Sequence, residues 1–167
     1  MPDGSVDLIV TDPPYSIEET NGRGIMKGSD HPYQRQLESG RFTESIDLSI
    51  LNEFVRVLKK INVYLWCNKA QIYDYLTFFV KERGCNFEIL VWAKQDPIPF
   101  CGTHYLQDKE YCLYFWETGA HIKAPFDRAR TVFLTKKNVE DKKKYGHPTI
   151  KPEAIIENLI LNSCGGG

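Results

Sequence analysis

The chain has 167 residues, 42% of them hydrophobic and 26% charged, which suits one globular domain with a single core rather than a disordered tract. No apolar stretch nears the roughly 18 residues that a membrane span needs, and the opening MPDGSVDLIV lacks the basic segment and cleavage site of a secretory leader. The net charge of −1 gives no sign of a uniformly basic nucleic-acid binder, and five cysteines without a C-x-x-C pair show neither a zinc knuckle nor a disulfide framework, as expected of a reduced cytoplasmic protein.

VDLIV, at residues 6–10, is a continuous apolar run that predicts a strand covered on both faces. Residues 16–45 are polar, rich in Gly, Ser and charge, and show no period. A stretch of that length inside a domain predicts a mobile lid or binding loop. In DLSILNEFVRVLKK, Leu48, Leu51, Phe54, Val55 and Leu58 recur at helical spacing and predict an amphipathic helix. NVYLWCN (62–68) reads as a strand, and KAQIYDYLTFFVKERG as a helix that Gly84 closes. FEILVWAK (87–94) is a third strand, ended by the two prolines of QDPIPF, and KEYCLYFWE (109–117) is a fourth. The signal is weak over residues 118–146, with one short strand at RTVFL. KPEAIIENLILNS predicts a last helix with proline in its first turn and Ile155, Ile156, Leu159 and Ile160 on one face. Strands alternating with helices predict an α/β fold: four main strands in a mainly parallel sheet with helices on both sides.

Ligands of such sheets bind beyond the carboxyl ends of the strands, where TDPPY follows VDLIV. Asp12, ionised at neutral pH, only accepts hydrogen bonds. Proline has no N–H, so the Pro13 carbonyl is a second acceptor without a competing donor. Pro14 holds Pro13 extended, and Tyr15 offers a flat face on which a base stacks. Two acceptors and a stacking plate suit an exocyclic base amine, whose lone pair is delocalised into the ring. Gripping both N–H bonds draws that nitrogen toward tetrahedral geometry and frees the lone pair for an aligned electrophile. The plainer account is that Asp12 caps a turn and Tyr15 packs at the core edge.

HPTIKP, at residues 147–152, opens the last helix, and Pro152 with Thr149 as a nearby cap needs no ligand. Together, however, DPPY early and HPTIKP late resemble the paired motifs of the β group of DNA amino-methyltransferases. The intervening LNEFVRVLKK, NVYLWCN, VWAKQDPIP and KEYCLYFW look like that group's successive helix and strand motifs, so the resemblance covers nearly the whole chain. It implies a Rossmann-like methyltransferase sheet and transfer of a methyl group from S-adenosylmethionine to the amine of a base flipped out of double-stranded DNA. It implies that Asp12, Pro13, Pro14 and Tyr15 form the catalytic grip, and that Asp12, His147, Pro148, Thr149 and Lys151 serve the cofactor. Asp12, where cytosine-N4 enzymes usually have Ser, points to adenine N6.

The same resemblance places target recognition at residues 118–146. Residues 123–151 carry nine Lys or Arg against three Asp or Glu, a balance that a solvated loop also explains. Read with the resemblance, Lys123, Arg128, Arg130, Lys136, Lys137, Lys142, Lys143 and Lys144 become phosphate contacts, which make binding salt-dependent but carry no sequence information. Arg23, Lys27, Arg35 and Arg41 sit in the long loop expected to close over DNA or cofactor. No metal site is expected.

The chain departs from that family at its end. The glycine-containing cofactor motif that follows HPTxKP there is not reached before NSCGGG, so an incomplete catalytic domain, lacking the strands that carry most of the cofactor site, is expected. The VDLIV strand then becomes a hydrophobic sheet edge, which predicts weak cofactor affinity and self-association, for instance as a homodimer. Methylation of cytosine, RNA or a protein glutamine, and a non-catalytic methylase-derived binding module, stay open as alternatives.

Overall fold

The computed structural model describes residues 1–13, 49–97, 105–120, 124–136, 138–146 and 149–164. In chain order these form strand β1 (Ile9–Thr11), helix α1 (Ser49–Val57), strand β2 (Asn62–Cys67), helix α2 (Ile72–Leu76) continued by a π-helical turn (Thr77–Lys81), strands β3 (Asn86–Lys94), β4 (Lys109–Trp116) and β5 (Val132–Thr135), and helices α3 (Val139–Tyr145) and α4 (Glu153–Ser163). The strands make one sheet in the order β1-β2-β4-β3-β5. The expected loop at residues 16–45 lies outside the described residues, and no described helix is long and apolar enough to cross a membrane.

The sheet is mixed. β1 pairs parallel with β2, and β5 with β3, whereas β4 runs antiparallel to both of its neighbours, β2 and β3. Four strands therefore point one way and β4 alone is reversed. The cause is the connection: α2 returns the chain from β2 so that β3 starts in the same direction, but the stretch between β3 and β4 carries the prolines of QDPIPF. No described helix lies in it to make a parallel crossover. The expectation of a mainly parallel sheet thus holds for direction and fails for pairing at β4.

Period-2 alternation sends β2 side chains to two cores. Val63, Leu65 and Cys67 face one side with Leu113 and Phe115, and are covered by Leu51 and Leu58 and by Tyr75 and Phe79. Phe79 stacks on Phe115 with ring centroids 4.5 Å apart. Tyr64 and Trp66 face the other side with Leu90, Trp92, Cys112 and Tyr114, beneath Ile155 and Leu159 of α4. Because Ile155 and Leu159 are one helical turn apart, Ile160 cannot share their face, and it is 42% exposed. β1 is shorter than VDLIV suggests: only Val6, through an isolated bridge to Leu58, and Ile9–Thr11 pair, and the strand ends the sheet order with half-buried side chains.

Two glycines end helical segments in the left-handed region, where a side chain is strained. Gly84 (φ +69) follows the π-helical turn and lets the Cys85 N–H return to the Phe79 carbonyl at 3.0 Å. Gly146 (φ +65) closes α3, a helix that the weak pattern of residues 118–146 does not announce. α3 places Glu140 and Asp141 in its first turn and Lys142, Lys143 and Lys144 in its last, in accord with the helix dipole. Its Asp141 Oδ2 accepts the Glu153 N–H of α4 at 2.8 Å. Pro152 is the residue at the cap of α4 rather than inside its first turn, and the cap oxygen comes from the neighbouring helix.

Candidate active site

Strand alternation brings four chemically active side chains to one face at the carboxyl edge of the sheet. Val10 pairs with Tyr64 and Thr11 with Leu65, so Asp12, the next residue, comes level with Trp66. Trp66 pairs with Cys112, and two residues earlier on β4 Glu110 pairs with Trp92. Lys94 is two residues beyond Trp92. All four therefore lie on the side that α4 covers, in the row Asp12, Trp66, Glu110, Lys94 across β1, β2, β4 and β3.

Lys151, in the lead to α4, crosses this row. Its Nζ donates to Asp12 Oδ2 at 2.7 Å and lies 2.9 Å from Glu110 Oε2. The carboxylates sit on strands two places apart, and the ammonium bridges them above the intervening Trp66, 5.4 Å from that ring's centre. Lys94 Nζ meets the other Glu110 oxygen at 2.5 Å and lies 4.8 Å from the Trp92 ring centre. The result is an alternating line of charge: Lys94, Glu110, Lys151, Asp12. The Lys151 side chain is 6% exposed and that of Asp12 34%, while Lys94 and Glu110 are each 25% exposed, so the ammonium of Lys151 is the buried member of the line.

Burial disfavours ionisation of Glu110, but the Lys151 charge and hydrogen bonds from Lys94 and Lys151 outweigh it and hold the carboxyl below its ordinary range. The Cys67 thiol is pushed up to about 12, first by burial and then by the Asp12 charge, so it is a packing group rather than a nucleophile. The Trp66 indole N–H is buried without an acceptor among the described residues.

Of the grip expected from sequence, Asp12 stands at the sheet edge and Pro13 is buried, whereas Pro14 and Tyr15 lie outside the described residues. Of the cofactor set, Thr149 is exposed and Lys151 buried, and His147 and Pro148 lie outside the described residues. Among the basic residues, Arg128 and Arg130 sit on the turn before β5. The Arg128 carbonyl accepts the Asn158 and Asn162 amides at 3.2 and 3.0 Å, and the Arg130 guanidinium lies 5.7 Å from the Phe126 ring centre. Lys136, Lys142 and Lys143 are exposed; Lys144 pairs with Glu153 at 2.7 Å and so helps join α3 to α4. Lys123 and Lys137 lie outside the described residues.

Glu110, Lys94 and Trp66 escaped the sequence reading. A Lys or Glu near a strand end normally reads as solvated. Their strands were legible, but only the pairing of β3 with β4 shows that Lys94 and Glu110 meet.

The fold is an α/β sheet of the methyltransferase type. A family model described as DNA methylase matches residues 6–167, and the chain belongs to that family. It is 25% identical, over 188 aligned positions, to the Type II methyltransferase M.HinfI of Haemophilus influenzae; the match covers 98% of this chain and 52% of that protein, so the chain spans about half the length of this relative. Crystal structures of M1.HpyAVI share the fold. The complex of M1.HpyAVI with SAM aligns at a TM-score of 0.60 and 18% identity, covering 96% of this chain and 68% of the other. A second M1.HpyAVI structure aligns at 0.61 and 18% identity, covering 96% and 66%.

Proposed function

We propose that this chain is the target-gripping part of an adenine-N6 DNA methyltransferase, which moves a methyl group from S-adenosylmethionine to an adenine flipped out of double-stranded DNA. The observation that carries this reading is the meeting of its two motifs: Lys151 of HPTIKP donates to Asp12 of DPPY across 139 residues of sequence. Membership of the DNA methylase family supports it. In this reading Asp12 and the Pro13 carbonyl accept the two N–H bonds of the base amine, Pro14 stiffens the grip and Tyr15 stacks on the ring. Arg128, Arg130, Lys136, Lys142 and Lys143, with Lys123, Lys137 and Lys144, run along the phosphates. The place of β1 at the end of the sheet order supports pairing of another chain along that edge.

The described residues suit the cofactor. The Asp12 carboxylate, held by Lys151 and one-third exposed, keeps a solvent-facing acceptor for a polar group, and the buried Trp66 N–H has no acceptor among the described residues at the same corner. Asp12, Thr149 and Lys151, with His147 and Pro148, would hold it there. When bound, it supplies an electrophilic methyl group.

The test is transfer of labelled methyl from S-adenosylmethionine to duplex DNA, followed by digestion to nucleosides. Label in N6-methyladenine, abolished by Asp12→Ala, is expected. Label in N4-methylcytosine would reassign the target base, and no label in DNA together with no binding of a duplex that carries an unpaired adenine would overturn the reading.

A further inference from the structure

The charge line has a part that the proposed chemistry does not use. Lys151 touches Asp12 directly, but nothing about gripping an amine requires Glu110 or Lys94. Glu110 divides its oxygens between two cations, Oε1 to Lys94 and Oε2 to Lys151, and both of its ion pairs are under 3 Å. Lys94 and Glu110 come from paired strands of the rigid sheet, with Trp92 directly opposite Glu110. Lys151, by contrast, lies outside the helix that follows it, so its backbone is not held by a ladder. A four-carbon side chain with many rotamers needs a second anchor if its ammonium is to stay in one place.

We propose that Glu110 and Lys94 are positioning residues: Lys94 orients Glu110, Glu110 fixes the Lys151 ammonium, and Lys151 thereby sets the direction of the Asp12 carboxylate that grips the base. The inference rests on the function proposed above. It assigns to Lys151 the orientation of Asp12 in addition to the part in cofactor binding that its motif implies. The reaction is sensitive to that direction because both acceptors must lie out of the plane of the base at once. Displacement of one by about 1 Å costs on the order of 100-fold in rate.

The experiment compares Glu110→Gln, Lys94→Met and the unaltered full chain, each first shown to be folded by near-ultraviolet circular dichroism. The first readout is independent of activity: nuclear magnetic resonance of the 15N-labelled Lys151 ammonium and the 13C-labelled Asp12 carboxyl. Expected are a slowly exchanging ammonium signal in the unaltered chain, its loss together with a shifted Asp12 carboxyl in Glu110→Gln, and a smaller change of the same kind in Lys94→Met. The second readout is methyl transfer. There Glu110→Gln lowers kcat about 10- to 100-fold and leaves KM for S-adenosylmethionine within about twofold. Unchanged Lys151 and Asp12 signals in Glu110→Gln overturn the proposal. So does a raised KM at unchanged kcat, which would make Glu110 a determinant of cofactor binding. An unaltered chain that transfers no methyl group counts against the methyltransferase reading, while the resonance readout still decides whether Glu110 orders Lys151 and Asp12.

Discussion

Lys151 Nζ stands 2.7 Å from Asp12 Oδ2, and this contact ties the lead into α4 to the residue that follows β1. The ammonium is buried, whereas the carboxylate is one-third exposed, so the attraction is screened less than in a surface pair and the desolvation cost is smaller than for a fully interior one. A double-mutant cycle with Lys151→Met and Asp12→Asn, followed by urea unfolding, is expected to give a coupling of about 1–2 kcal/mol. A coupling indistinguishable from zero would mean that the contact orders nothing.

The pH profile of stability should fall on both sides for different reasons. Glu110 titrates below its ordinary 4.5 in the fold, so its contribution is complete above that value and disappears as acid protonates it. Buried Cys67 is raised from 9.0 to about 12 and buried Tyr75 from 10.0 to about 12. Both favour the neutral form, so stability is full below 9 and declines as the unfolded state ionises across that window. Glu110→Gln should flatten the acid side alone in urea midpoints measured from about pH 3 to about pH 11. An unchanged acid side would remove Glu110 from the account.

Thiol chemistry offers a separate check on packing. Among the described cysteines, Cys67, Cys85 and Cys112 are buried and Cys164 is exposed. Alkylation in native buffer, mapped by mass spectrometry, should label Cys164 first and reach the other three only when the chain unfolds. Rapid native labelling of Cys67 would contradict the burial that raises its pKa.

The far end of α4 is held by a buried polar cluster. Asn62 Nδ2 donates to the Asp7 and Ser163 carbonyls at 3.0 and 3.1 Å, its Oδ1 accepts from Tyr114 at 3.0 Å, and the Tyr64 hydroxyl meets Ser163 Oγ at 2.7 Å. Asn62→Ala strands three partners and should cost about 2–4 kcal/mol in thermal or urea unfolding. Tyr64→Phe removes one bond and should cost about 1 kcal/mol. Equal losses would show that the cluster does not act as a network.

On the proposed function, binding to duplex DNA should depend on salt through the exposed lysines of α3. The double variant Lys142→Ala/Lys143→Ala should weaken binding uniformly across DNA sequences and reduce the slope of log affinity against log salt by about 1–2. Lys144→Ala should in addition lower the melting temperature slightly, because its ammonium also pairs with Glu153 of α4 across exposed surface. A sequence-dependent loss from the double variant would transfer those lysines from phosphates to base edges.

The amino-acid sequence by itself determined most elements and one end of the site. Apolar runs such as NVYLWCN and the spacing of Leu51, Phe54, Val55 and Leu58 mark strand and helix because burial imposes their periods locally. DPPY and HPTIKP are legible because their chemistry sits in consecutive residues. The reversed β4 was not legible, since direction depends on how a loop returns the chain and not on the strand's own residues. α3 was hidden because its seven residues bury no side chain, so no apolar stripe marks it. Tertiary structure alone decided that Lys94 and Glu110 belong beside Lys151 and Asp12. An ordinary lysine and an ordinary glutamate acquire that position only when β3 and β4 pair and the lead into α4 lays Lys151 across the sheet edge.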